Sequence, residues 1–211
     1  MSTYQRPALS LKEYRDDLGL PIRYGHRWDG SPPEDAYSRI SNTERFAPLH
    51  AVADALIEWL QGTFDVAVDE SAGVASDLLR PPEEVVRAVR IVPRDSSAAP
   101  LTFVLTGFPG VYLHAGMLHD FQFPVCGCDA CDEGVVELAD DLEWTVRTVV
   151  NGGFSEQFAA DRQWIEHRLE EDGVGMRSGR SRRDEYPAER VHAAETALPP
   201  AGHWTRWPEL H

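Results

Sequence analysis

Apolar residues recur at helical spacing from Leu49 through Val52, Ala53 and Leu56 to Leu60, with Asp54 and Glu58 on the opposite side. This pattern predicts an amphipathic helix. Thr43 stands ahead of it as a candidate N-cap, Pro48 is tolerated near its start, and Gly62 marks its end. A second stripe runs through Val135, Leu138, Ala139, Leu142, Val146, Val149 and Val150 and is stopped by Asn151-Gly152-Gly153. Between the two helices the period changes to two. Phe64 to Val68 predicts a short strand, followed by a loop through Pro81 and Pro82, and Val85 to Val92 is rich in β-branched residues. Leu101 to Phe108 is a near-continuous apolar run, the pattern of a central strand. Pro109-Gly110 makes a turn into a strand over Val111 to Ala115, and Met117 to Val125 adds another with Phe121 and Phe123 on one face.

Beyond Phe154 the pattern supports two assignments. Trp164 to Leu169 alternates as a strand would, whereas Phe158, Ile165 and Leu169 fit a helix with Ser155 as its cap and Gly173 as its stop. The helix is the preferred assignment. Met176 to Arg183 reads as a loop, Pro187 to Leu198 as a short helix, and Trp204 and Trp207 as tail residues folding back onto exposed core. The expected fold is α+β, an antiparallel sheet of three to five strands with two main helices packed on it. Residues 1–35, rich in proline and glycine, form an N-terminal arm, 36–200 a single domain and 201–211 a C-terminal tail.

The chain has 211 residues, 42% of them hydrophobic, which suffices for a sizeable core. No apolar run reaches the roughly 20 residues that cross a bilayer, and Met1 to Leu20 lacks the apolar stretch of a secretory signal. A cytoplasmic protein with no membrane partner is expected. A net charge of −15 argues against nucleic-acid binding, which needs a positive surface, and favours a basic protein partner if there is one. Lys12 is the only lysine among 20 basic residues, a bias that carries no functional meaning here.

All three cysteines fall in Pro124-Val125-Cys126-Gly127-Cys128-Asp129-Ala130-Cys131-Asp132-Glu133. A disulfide framework would spread its pairs along the chain. Two residues between Cys128 and Cys131 is the spacing of a zinc knuckle, and the small Gly127 and Ala130 let the backbone curl around a metal. Cys126 supplies a third thiolate. For the fourth ligand His119 is the first choice, then His114, then His50, with Asp129 and Asp132 as local oxygen donors. Thiolate plus imidazole suits zinc, in a mainly structural role. A catalytic zinc would need an open position and a base such as Asp120 or Glu133, and a redox Cys-x-x-Cys pair is the further alternative, opposed by the flanking carboxylates.

The acidic run Glu137, Asp140, Asp141 and Glu143 could meet a basic partner; Arg177, Arg180, Arg182 and Arg183 read first as a solvated, mobile loop, and otherwise as one that cradles a phosphate or grips the acidic helix of the same molecule. His50 and Asp54, four apart, suggest a helix-surface pair. Glycine-rich phosphate loops, Gly-x-Ser-x-Gly elbows and His-Glu-x-x-His are absent from the sequence. Tyr37-Ser-Arg39, Glu44-Arg45-Phe46-Ala-Pro48-Leu-His50, Phe123 through Glu133, Trp164-Ile-Glu-His167 and Ser178-Gly-Arg-Ser together resemble an uncharacterised actinobacterial protein family with a Cys-Gly-Cys-Asp-Ala-Cys motif. The resemblance runs from about Tyr37 onward and implies one domain and no particular activity. The leading functional expectation is a zinc-stabilised binding or regulatory protein. A zinc-dependent hydrolase-like enzyme and an acidic protein that binds a basic partner are the alternatives.

Overall fold

Five strands follow one another in space as they do in sequence, each antiparallel to the next: β1 (Val66–Glu70), β2 (Val85–Pro93), β3 (Leu101–Thr106), β4 (Val111–Ala115) and β5 (His119–Phe123). A computed structural model describes residues 3–210. Two helices, α1 (Pro48–Thr63) and α2 (Val135–Val150), cover one face of this sheet. The expected α+β class and strand number hold. α1 buries Leu49, Val52, Ala53, Leu56, Ile57 and Leu60 against Val89, Ile91, Leu101 and Phe103 of the sheet, so its apolar stripe is its packing face. Truncating one of these, such as Leu56 to alanine, would cost about 2–5 kcal/mol.

The continuous apolar run of β3 has a direct cause. All six of its residues are buried because both faces of the sheet are covered there. Leu101, Phe103 and Leu105 face the helices, while Val104 joins Ala88 under Val74, Ala75 and Leu78 of the β1–β2 connection.

The second half corrects two expectations. Phe158, Ile165 and Leu169 do not lie on a helix, and residues 176–182 of the expected 176–183 loop form a strand. They belong to a three-stranded antiparallel sheet, β6 (Phe154–Phe158), β7 (Trp164–Glu171) and β8 (Gly175–Arg182). The apolar positions that fitted a helical stripe are cross-strand partners instead, Phe154 opposite Leu169 and Phe158 opposite Ile165. Ser155 makes no cap; it sits in β6 opposite Arg168. β8 has almost no apolar residues, yet it pairs with β7 from Trp164–Arg182 to Glu171–Gly175. Ladder bonding to a neighbour overrides its weak strand propensity. Helix α3 (Ala188–Ala197) follows.

The described segments near both termini are built into this frame. Trp207 is buried, donates from Nε1 to the Ala99 carbonyl at 2.9 Å and meets Phe64 edge-on at 5.5 Å. Trp204 donates to Glu156 Oε1 at 3.1 Å. At the other end Tyr4 donates to Glu143 at 2.6 Å, and Arg6 binds Glu143 at 2.6 Å and Asp140 at 2.5 Å. Asp141 pairs with Arg177. Three of the acids on α2 are therefore matched by arginines of the same chain, one of them from the arginine-rich stretch.

Candidate metal centre

The β5–α2 connection carries the cysteines, and it is shaped by residues that look surplus in the sequence. Gly127 at φ 80° and Asp132 at φ 51° put the backbone in the left-handed region and fold the loop back on itself. Glu133 accepts from the backbone N–H groups of Val125 at 2.8 Å, Cys126 at 3.1 Å and Gly127 at 2.8 Å. One carboxylate thus satisfies three donors that a tight turn would otherwise strand.

The Sγ atoms of Cys126, Cys128 and Cys131 lie within 4.8 Å of one another, with Cys128 buried and the other two exposed. The Cys128 thiol is held below its ordinary value by the Cys131 backbone N–H, the Cys126 side chain and the Ala130 N–H. The Cys131 thiol is pushed up to about 12 by its hydrogen bonds to Cys128 and Cys126 and by burial. One thiolate is stabilised here, and further negative charge on its neighbours is resisted unless a cation joins them. Zinc fits this donor set: Zn–S bonds of about 2.3 Å place tetrahedral sulfurs about 3.8 Å apart, within the observed limit.

His119, the first choice for a fourth ligand, is not brought to the cysteines. It occupies the opposite end of β5, and four extended residue steps place it about 13 Å from Phe123. Its ring packs between the two sheets, 3.3 Å from the His167 ring and 5.5 Å from Phe121. Burial, aided by His167, depresses its basicity. His114 is engaged with Asp120 at 2.6 Å, and the His50 ring lies 3.1 Å from the Gly110 carbonyl. Asp54 pairs with Arg87 and not with His50. Among the described residues the group of potential ligands is the three cysteines alone.

The loop is fastened by a strap, residues 24–45, which takes in the end of the expected 1–35 arm and the first residues of the expected domain. Asp129 is fully buried. It accepts from Ser41 N at 2.9 Å, Ser41 Oγ at 2.8 Å and Arg39 Nε at 2.8 Å, with Arg27 at 3.5 Å. Burial opposes its ionisation, but these partners outweigh it and hold the carboxyl below the usual range. Backbone bonds join Asp129 to Arg39, Ala130 to Ala36 and Gly25 to Asp132. Asp132 also accepts from the Arg27 N–H at 2.7 Å, Trp28 Nε1 reaches the Asp129 carbonyl at 3.0 Å, and Arg45 donates to the Gly127 carbonyl at 3.1 Å while lying over Tyr24.

Of the segments that carry the sequence resemblance, Tyr37 to Arg39 and Glu44 to His50 reach the cysteine loop through Arg39 and Arg45. The model of a family of unknown function matches residues 10–211. The chain belongs to that family, DUF6226. No curated protein and no solved structure matches it. The family match takes in the whole of the strap and the cysteine loop, and the family carries no assigned chemistry. The three clustered cysteines could hold a metal ion, and no described helix is long and apolar enough to cross a membrane.

Proposed function

We propose that Cys126, Cys128 and Cys131 bind one zinc ion with a structural role, and that the protein is a zinc-stabilised binding or regulatory protein of the cytoplasm. The observation that carries this is the convergence of three sulfurs in a loop to which residues 24–45 are fastened. Bound zinc would supply a clamp where the apolar cluster at the loop is small, Ala36, Cys128 and Ala130 with Trp28 packed against them. The protein's residues do the rest: Glu133 sets the turn, backbone N–H groups favour the Cys128 thiolate, and Asp129 ties the strap. A four-coordinate ion held by these three thiolates would still need a fourth donor.

The test is elemental analysis of untagged protein together with melting curves before and after chelation. About one zinc per chain and a melting point lowered by chelation are expected, with Cys128→Ser losing both metal and stability. Protein that carries no metal, or melts unchanged after its removal, would refute the structural zinc.

A further inference from the structure

Where the loop after β6, the end of β8 and α3 meet, they enclose a cleft of about 630 Å³ that shares no lining residue with the cysteine loop. Its size falls within the range of small-molecule sites. Trp164, Tyr186 and Val191 give it an apolar surface. Its polar side is unusual for a chain of net charge −15. Glu195 receives both Arg162 and Arg183, the latter at 2.9 Å, and Asp184 receives Arg182 at 2.7 Å. Three guanidinium groups thus face two carboxylates, leaving one positive charge over, and His192 Nδ1 stands a further 4.0 Å from Glu195.

The arginines are also held in place. Arg162 and Arg183 both lie over the Phe158 ring, at 5.4 and 5.2 Å. Each guanidinium carries five N–H donors in a planar fork that matches an oxyanion, and Glu195 alone occupies only a small part of that capacity. A ligand anion would take up the excess charge beside an aromatic wall.

We propose that this cleft binds a small planar anion, an aromatic ring bearing one carboxylate or phosphate group. The ring lies against Trp164 and Tyr186, and the oxyanion shares Arg162 and Arg183 with Glu195. The proposal is independent of the zinc site, so metal loss and ligand loss are separable.

The full-length protein is titrated with anthranilate and with phenyl phosphate, with aniline as the uncharged control. Saturable, salt-sensitive binding of at least one anion and none of aniline is expected, and the tighter anion identifies the oxyanion chosen. Arg183→Gln should weaken binding about tenfold, the loss of one charged hydrogen bond. Glu195→Gln should tighten it severalfold, because the competing carboxylate is removed. Both side chains are partly exposed, where ion pairs contribute little to folding, so both variants should keep the wild-type melting curve. Failure of both anions to saturate, aniline binding as well as they do, or a shift in the same direction for both variants would overturn the proposal.

Discussion

Replacing Asp129 by alanine tests whether the strap is tied to the cysteine loop as described. The substitution leaves the backbone N–H and Oγ of Ser41 and the Nε of Arg39 without their acceptor, and the Arg27 charge without its counter-ion. A buried pair broken on one side costs about 3–5 kcal/mol when the remaining charge stays buried. Here the Arg39 side chain is 46% exposed and can recover water, whereas Arg27 is 18% exposed and recovers less. About 3 kcal/mol is therefore the expected loss, the lower end of that range. In a chain of this size it lowers the melting temperature by about 6–12 °C. Because the folded-state pKa of Asp129 is depressed, the wild-type advantage should be complete above the ordinary aspartate pKa and fade as the pH falls through the folded value. Melting curves over acid pH, with trypsin cleavage after Arg27 and Arg39 followed by mass spectrometry, read both stability and strap attachment. A variant that melts with the wild type and resists trypsin equally would show that the strap is held by something else.

Three further outcomes follow from the core. Trp207→Ala should cost about 3–5 kcal/mol in urea unfolding, since it removes a fully buried indole that closes the core beside Phe64 and Ala99. Glu156 is buried among the N–H groups of Met117, Leu118 and Trp204, and burial raises its pKa from 4.5 to about 7. Its contribution to stability should decline as pH rises across that window, and Glu156→Gln should abolish this slope; parallel pH profiles for the two proteins would disprove it. Gly153→Ala should destabilise by about 2 kcal/mol, measured by its denaturation midpoint, because the added methyl meets the Glu170 carbonyl and the Thr148 methyl, at 2.8 Å from the latter.

The first half of the fold was legible because its signals are local. The α1 and α2 stripes, the doubly buried β3 and the Pro109-Gly110 turn each follow from spacing within a dozen residues. The second sheet was not, for two physical reasons. Phe158, Ile165 and Leu169 satisfy a helical period by coincidence of a hairpin register, and β8 has too few apolar residues to announce a strand. Of the candidate metal centre, the convergence of the three cysteines was readable from their spacing. The histidine was not, since its choice treated nearness in sequence as nearness in space, while an extended strand carries His119 away from the loop. Arg27, Arg39 and Arg45 were missed because their partners lie 82 to 105 residues away along the chain.

The placement of the carboxylates bears on the choice among functions more than the cysteines do. A zinc hydrolase needs a base free to take a proton from water beside the metal. Glu133 is spent on three backbone donors, and Asp129 and Asp132 hold the strap. Asp120 accepts from the Leu79 N–H at 2.7 Å and pairs with His114, on the face of the sheet turned away from the helices. An acidic lure for a basic partner needs carboxylates that are unmatched, yet Asp140, Asp141 and Glu143 already face Arg6 and Arg177. The negative charge nearest the cysteines is thus committed to holding the chain together, which favours a structural ion over a reactive one. If that is right, Glu133→Gln should lower zinc retention by loosening the turn, while Asp120→Asn should leave the zinc content unchanged. Competition with a chromogenic chelator distinguishes the two, and equal retention by Glu133→Gln and wild type would break the link between the turn and the metal.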